Sequence, residues 1–127
     1  MYTVLLIESN TLQAAIYTKA LTHGGFKVIH VTGAQTAINA ADQHIPDIVV
    51  LELQLPQHSG IEFLHEFRSY PEWQRIPVMM LTNVPMSSLE SIEQPLRRDL
   101  GVTCMLYKPR TSLELLVRRT REQLRIL

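Results

Sequence analysis

Five short runs of apolar and β-branched residues alternate along the chain with longer segments in which apolar residues recur at helical spacing. The short runs cover residues 2–7, 27–32, 47–53, 76–82 and 103–108. Every position is apolar in residues 48–51 and 78–81, which is typical of strands buried on both faces of a parallel sheet. The pattern therefore predicts five strands, with the third and fourth inside the sheet.

The segments between these runs carry the start and stop signals of helices. Ser9 and Asn10 are candidate N-cap residues for a first helix, and Gly24-Gly25 supplies its end. Pro95 lies inside the fourth helical segment and is expected to kink or split that helix. Apolar residues recur at helical spacing in the first helix as Leu12, Ala15, Ile16 and Ala20, and in the last as an inward stripe of Leu113, Leu116, Val117, Thr120 and Leu124.

Strict alternation of strands and helices predicts an α/β fold, in which right-handed crossovers join parallel strands and helices cover both faces. For five strands we predict a doubly wound, flavodoxin-like parallel sheet of order 2-1-3-4-5. The 127 residues amount to one ordinary domain. No linker, internal repeat or low-complexity segment interrupts them, so we expect a single domain over residues 1–127.

Composition and charge narrow the classes of partner. Hydrophobic residues make up 46% and charged residues 19%, as in globular domains, and the formal net charge is zero. A neutral chain has no overall attraction to nucleic acid or to an anionic membrane surface, so neither is expected as a partner. The first apolar run is too short to span a bilayer. The only cysteine, Cys104, is expected to be a buried, inert thiol, which suits a reducing cytoplasm.

Polar residues stand at the carboxyl ends of four predicted strands. They are Glu8 and Ser9 after strand 1, Glu52 after strand 3, Thr82 after strand 4 and Lys108 after strand 5. In a doubly wound sheet, ligands bind outside this edge, near the point where the strand order reverses. We therefore expect two carboxylates, a hydroxyl and an ammonium to converge there.

Four segments carry a family resemblance. They are residues 5–10 (Leu-Leu-Ile-Glu-Ser-Asn), residues 46–60 around Glu52, residues 76–82 (Ile-Pro-Val-Met-Met-Leu-Thr) and Tyr107-Lys108-Pro109. In this order, and at mostly matching intervals, they resemble the response-regulator receiver domains (the CheY-like family) over essentially the whole chain. The resemblance implies two-component signalling, in which a histidine kinase passes a phosphoryl group to an aspartate carboxylate.

The resemblance also implies roles for individual residues. Mg²⁺ would be held by an acidic residue such as Glu8, by the acceptor and by the backbone carbonyl of Gln54. The Thr82 hydroxyl and the Lys108 ammonium would contact the phosphoryl oxygens. The resemblance implies a cis bond before Pro109, as is usual in the family, and X-Pro is the only common place for a cis peptide bond.

Three positions depart from the family pattern. Glu52 stands where the acceptor aspartate is expected, which puts its carboxylate about 1.5 Å further from the backbone. Ser9 replaces the carboxylate that binds the metal most directly, and a neutral hydroxyl is a poor ligand for a hard divalent cation. Met105 stands at the position of the family's switch aromatic, three residues before Lys108. We therefore expect a degenerate receiver, or pseudo-receiver, with little or no phosphorylation, no required cofactor and weak Mg²⁺ binding at best.

Three interpretations of Glu52 stay open at this point. In the first interpretation, Glu52 reaches Lys108 and Thr82 and partly imitates the phosphorylated state, although one negative charge then replaces roughly two. In the second interpretation, Glu52 forms only a structural ion pair with Lys108. In the third, Glu52 is itself phosphorylated at a low rate.

The function implied is that of a non-enzymatic signalling module. We expect it to act by binding a protein partner, such as a histidine kinase or an output protein, through the fourth helix, the fifth strand and the fifth helix. A homodimer is also compatible with the resemblance. Arginines on the last two helices form either a basic docking face or an ordinary solvated face, and they are Arg97, Arg98, Arg118, Arg119, Arg121 and Arg125.

Two alternative functions are also compatible with the sequence. One is a working phosphoacceptor in a phosphorelay, with unusual residues in its site. The other is a small-ligand-binding module on a flavodoxin-like sheet. Against the second stands the absence of a Gly-rich phosphate loop after strand 1, where Glu8-Ser9-Asn10 lies.

Overall fold

The structure is a computed structural model that describes residues 1–127. The chain contains one parallel sheet of five strands. The strands are β1 (Thr3–Ile7), β2 (Lys27–Val31), β3 (Ile48–Leu51), β4 (Val78–Thr82) and β5 (Val102–Tyr107). All neighbouring pairs are parallel, and the order is β2-β1-β3-β4-β5. The predicted fold class and strand order are confirmed.

Five helices connect or follow the strands. They are α1 (Thr11–His23), α2 (Ala34–Gln43), α3 (Gly60–Ser69), α4 (Met86–Arg98) and α5 (Leu113–Leu124), with short 3-10 turns at Pro71–Trp73 and Lys108–Arg110. None of these helices combines the length and the apolar character that crossing a membrane would require.

The core is divided by the sheet into two clusters. The larger cluster, of 20 buried residues, lies between the sheet and helices α2, α3 and α4. The smaller one, of 11 buried residues, lies on the other face against α1 and α5. Successive strand residues point to opposite faces, so Leu5 and Ile7 enter the first cluster while Val4 and Leu6 enter the second. Burial on both faces explains why the central strands are apolar at every position.

Side-chain caps fix where three helices begin. Asn10 accepts a hydrogen bond from the backbone N–H of Gln13 at the start of α1, as its sequence position predicts. Ser59 and Glu62 form a complete capping box at the start of α3. Ser112 caps α5 through the N–H of Leu115. Because these helices begin directly after loops at the carboxyl edge of the sheet, their caps also order that edge.

Three apolar residues at helical spacing in α1 and α5 are exposed and do not pack against the sheet. Leu12 and Ile16 share the helical spacing of α1 but are 77% and 52% exposed, so the face turned to the sheet carries Ala14 and Leu21 instead. In α5, Leu113 is exposed, whereas Leu116 and Thr120 are buried. Apolar spacing predicts a helix, but helical periodicity alone does not say which face meets the sheet.

The proline within α4 does not divide the helix. α4 runs continuously from Met86 to Arg98 through Pro95, so the expected split is absent. The carbonyl of Pro95 accepts hydrogen bonds from the N–H groups of Asp99 and Leu100 just beyond the helix. Pro95 is exposed, so its ring faces away from the packed side of the helix.

Gly60 brings the start of α3 against the end of β3. A Cβ atom at this position would lie 2.8 Å from the backbone oxygen of Glu52 and 2.9 Å from Cα of Leu53. The N–H of Gly60 donates to the carbonyl of Leu53 at 2.8 Å. Only glycine allows this approach without a shift of the backbone beside Glu52.

Candidate functional site

Four polar residues meet at the carboxyl edge of the sheet. Glu8 follows β1, Glu52 follows β3, Thr82 ends β4 and Lys108 follows β5. Since β3 lies between β1 and β4 in the sheet, Glu52 stands at the centre of the group. The predicted convergence of two carboxylates, a hydroxyl and an ammonium is what the structure contains.

The Glu52 carboxylate is surrounded by donors. Oε2 accepts hydrogen bonds from the Thr82 hydroxyl and, at 3.2 Å, from the backbone N–H of Gln54. Oε1 lies 2.9 Å from Nζ of Lys108 and accepts from the backbone N–H of Asn83 at 3.3 Å. The residue is 4% exposed. A carboxylate this buried is tolerable because both of its oxygens are hydrogen-bonded and a cation lies beside it.

The Lys108 ammonium contacts three side-chain oxygens. Besides Glu52, it donates to Oε1 of Glu8 at 2.6 Å and to Oε1 of Gln13 at 2.8 Å. The Lys108 side chain is 6% exposed. The second oxygen of Glu8 accepts the backbone N–H of Asn10 at 2.9 Å. The three donors of the ammonium therefore face three acceptors from three different segments.

Sequence reasoning did not identify Gln13 as part of the site. The sequence does indicate that Gln13 lies three residues after the N-cap Asn10, in the first turn of a helix that starts at the carboxyl edge of the sheet. That position says where the backbone lies. It does not say that the side chain reaches Lys108, which is 95 residues away in the sequence.

The charges of Glu52 and Lys108 stabilise each other. Burial by itself raises the pKa of Glu52, but hydrogen bonds from Thr82, Lys108 and Gln54 outweigh it, and the pKa lies below its ordinary value. Burial by itself lowers the pKa of Lys108, and the hydrogen bonds to Glu8 and Glu52 more than reverse this, so the pKa is raised. At neutral pH the site thus contains an ionised carboxylate beside an ionised amine.

Comparison with known proteins gives the family. A family model described as the response regulator receiver domain matches residues 4–119. The chain belongs to this family. As a receiver domain, it is a module of two-component signalling.

Two sequence relatives show how far the likeness extends. The probable transcriptional regulatory protein TcrX of Mycobacterium tuberculosis is 36% identical over 80 residues, which span 63% of this chain and 33% of TcrX. The polar-differentiation response regulator DivK of Brucella ovis is 28% identical over 87 residues, which span 68% of this chain and 71% of DivK. The receiver domain is thus shared with TcrX over only about a third of that protein's length.

A solved receiver domain confirms the fold. The receiver domain of the sensor histidine kinase PA1611 from Pseudomonas aeruginosa PAO1 has a TM-score of 0.84 and 21% identity, over 97% of both chains. That crystal structure has a magnesium ion coordinated in its active-site cleft. At this identity the likeness to the present receiver domain concerns the fold alone.

The side chains present here do not fit such a metal ion well. Mg²⁺ requires near-octahedral oxygen coordination. In this receiver domain the carboxylates of Glu8 and Glu52 are both bonded to the Lys108 ammonium, and Ser9 supplies only a neutral hydroxyl. No group of three or more His, Cys, Asp or Glu side chains is arranged to hold a metal ion.

Met105 and the bond before Pro109 are two further positions for which the family resemblance implies a role. Met105, at the place of the switch aromatic, is partly buried and packs against the larger core cluster. The expected cis bond before Pro109 is absent, since no peptide bond in the chain is cis. Instead Lys108–Arg110 forms a 3-10 turn, in which the N–H of Thr111 donates to the carbonyl of Lys108.

Proposed function

We propose that this receiver domain is a degenerate, non-enzymatic signalling module that is not phosphorylated in the usual way and acts by binding a protein partner. The observation that carries the proposal is the set of contacts made by Glu52. Its carboxylate already accepts hydrogen bonds from the Thr82 hydroxyl and lies against the Lys108 ammonium, the two groups that the family uses for a phosphoryl group.

The position of Glu52 argues against ordinary phosphoryl transfer. In-line transfer needs an accessible carboxylate oxygen at a defined place, and a displacement near 1 Å can cost about 100-fold in rate. Glu52 is one methylene longer than aspartate, is nearly inaccessible, and has donors on both oxygens. A working phosphoacceptor is therefore the less supported alternative.

Contacts beyond Lys108 favour partial imitation of the phosphorylated state over a simple ion pair. An ion pair with Lys108 would not need the Thr82 hydroxyl or the N–H of Asn83, yet Glu52 binds both. The N–H of Val84 in turn donates to the Thr82 hydroxyl at 3.1 Å, two residues before α4 begins at Met86. Glu52 thus contacts the segment that leads from β4 into α4, directly at Asn83 and through the Thr82 hydroxyl at Val84.

The surface formed by α4, β5 and α5 is the proposed partner site. β5 is an edge strand of the sheet, and it runs directly into Lys108. A histidine kinase or an output protein is the class of partner we propose. The arginines of this region are partly neutralised, since Arg97 pairs with Glu93 and Arg119 with Glu122. A strongly basic face is therefore not part of the proposed partner site.

The thiol of Cys104 fits the proposed cytoplasmic location. Cys104 is a free cysteine in β5, and burial raises the pKa of its thiol above the ordinary value. A thiol with a raised pKa is mostly protonated at neutral pH and reacts slowly. An unpaired cysteine of this kind is typical of reducing compartments.

Intact mass tests the proposal. The protein is incubated with Mg²⁺ and acetyl phosphate, and no gain of a phosphoryl group is expected. The matched control is Ser9→Asp/Glu52→Asp, which restores the acidic pair and the shorter acceptor and is expected to gain one phosphoryl group. A phosphoryl gain in the unmodified protein that disappears in Glu52→Gln would overturn the proposal.

A further inference from the structure

An open groove of about 430 Å³ runs between α1 and α5. Ala20 lines its α1 side, and Leu113 and Val117 line its α5 side. The two helices come close at the end of α1 because Gly24 has no side chain, and a Cβ atom there would lie 2.8 Å from Cγ1 of Val117. The guanidinium of Arg121 donates to the carbonyl of Gly24. The groove is therefore held in place by packing and by a hydrogen bond between the helices.

Exposed apolar side chains extend the groove along α1. Leu12, Ile16 and Ala20 recur at intervals of four residues and therefore share one stripe of the helix. Leu12 is 77% exposed and Ile16 is 52% exposed, while Leu113 on α5 is 41% exposed. An exposed apolar patch rimmed by polar residues is typical of a protein–protein contact. The stripe that the sequence predicts on α1 is thus available to a molecule outside the chain.

Charges on the rim of the groove indicate what covers it. Glu114 and Arg118 are exposed, line the α5 side and lie one helical turn apart, with Glu114 nearer the start of the helix. Although this spacing suits an ion pair, neither residue forms one within the chain. A surface that is acidic at one end and basic at the other is complementary to its own copy after a twofold rotation.

We propose that the groove between α1 and α5 is the contact surface for a second copy of this chain, with the two α5 helices antiparallel about a twofold axis. Glu114 of each copy then faces Arg118 of the other copy, and Ile16 and Leu113 of both copies are covered in the same contact. A second copy supplies both the apolar surface and the two charges that the rim requires. The inference goes beyond the proposed function, because it involves neither the site around Glu52 nor helix α4.

Sedimentation equilibrium from micromolar to millimolar concentrations tests the apolar part of the contact. We expect the unmodified protein to form a dimer. Ile16→Ser and Leu113→Ser should each raise the Kd of the dimer at least about tenfold, because each removes an apolar side chain from both halves of the contact. The matched control is Ile45→Ser, since Ile45 is 64% exposed but lies between α2 and β3, outside the groove. Its Kd should equal that of the unmodified protein.

An exchange of charges tests the antiparallel orientation. Glu114→Arg alone places two arginines face to face at both ends of the contact, and Arg118→Glu alone places two glutamates there. Each variant should therefore dimerise at least about tenfold more weakly than the unmodified protein. An equal mixture of the two variants restores both ion pairs, so a mixed dimer with a Kd within about threefold of the unmodified value is expected. Recovery on mixing also shows that both variants are folded.

A protein that stays monomeric up to millimolar concentration would overturn the inference and leave the groove to a different molecule, such as the amphipathic helix of a partner. A dimer whose Kd is unchanged in Ile16→Ser and Leu113→Ser would place the contact on another surface. Charge variants that do not recover on mixing would contradict the antiparallel arrangement. None of these results depends on whether the protein gains a phosphoryl group from acetyl phosphate, so the two proposals can fail separately.

Discussion

The hydroxyl of Thr82 donates a hydrogen bond to the carboxylate of Glu52, and this contact ties the end of β4 to the end of β3. The same hydroxyl accepts the backbone N–H of Val84. Thr82 therefore stands between the buried carboxylate and the segment that leads into α4. A change in the charge of Glu52 should therefore alter the hydrogen bonds of that segment through the Thr82 hydroxyl.

Replacing Thr82 by valine should destabilise the protein. Thr82→Val keeps the volume but removes one of the two hydrogen bonds to Oε2 of Glu52 and leaves the N–H of Val84 without its partner, at a cost of about 1–3 kcal/mol. The matched control is Thr120→Val, since Thr120 is equally buried but only donates to the helical carbonyl of Leu116. Urea unfolding of the two variants measures the difference. Equal losses would show that the hydroxyl of Thr82 has no special role.

Stability should fall in acid partly because of Glu52. Its pKa is lowered in the folded protein, so its contribution to stability is present above the unfolded-state pKa of about 4.3 and is lost as the pH falls through the folded value. In Glu52→Gln the free energy of unfolding should therefore depend less steeply on pH below about 4.3. Denaturant unfolding over a pH series gives both slopes. Identical acid slopes would contradict the lowered pKa.

Alkaline pH should weaken the same site through Lys108. The pKa of Lys108 is raised in the folded protein, so its contribution is complete below the unfolded-state pKa of about 10.4 and is lost as the pH rises through the folded value. The ¹⁵N shift of the Lys108 ammonium measures this pKa directly. We expect a lower value in Glu52→Gln, because one of the two carboxylates that stabilise the ammonium is then neutral.

Neutralising Glu52 should change the β4–α4 segment. Glu52→Gln keeps the length of the side chain but weakens its acceptance from Thr82 and Asn83, so amide chemical shifts should change from Asn83 into α4. The control Glu62→Gln removes an exposed carboxylate that contacts His58 and Ser59, and its effects should stay near the start of α3. Shift changes confined to Lys108 would favour the structural ion pair over imitation of the phosphorylated state.

Adding a methyl group at Gly60 should disturb the site from behind. In Gly60→Ala the new Cβ would lie under 3.0 Å from backbone atoms of Glu52 and Leu53, so one segment must move, at a cost of about 1–3 kcal/mol. Gly33→Ala is the control, because its Cβ would meet nothing closer than 3.9 Å. Thermal unfolding and the Lys108 ammonium signal report the two effects. A Gly60→Ala variant as stable as Gly33→Ala would contradict the close approach.

The sequence by itself determined most of the fold. Continuous apolar runs such as 48–51 predict strands buried on both faces, and strict alternation with helices leaves few topologies, so the order β2-β1-β3-β4-β5 could be predicted. Which face of a helix meets the sheet could not. Leu12 and Ile16 have the spacing of an inward stripe, yet both are exposed, because the packing of α1 on the sheet and α5 selects Ala14 and Leu21.

The site divides in the same way. Glu8, Glu52, Thr82 and Lys108 were predictable as neighbours, because the carboxyl ends of parallel strands share one edge of the sheet. Which oxygens the Lys108 ammonium contacts was decided only by the tertiary structure. Side-chain rotamers and the exact start of α1 place Gln13 beside a residue 95 positions away, and the donors around Glu52 are backbone N–H groups as well as side chains. Such contacts depend on distances of a few tenths of an ångström, which residue types and their spacing do not encode.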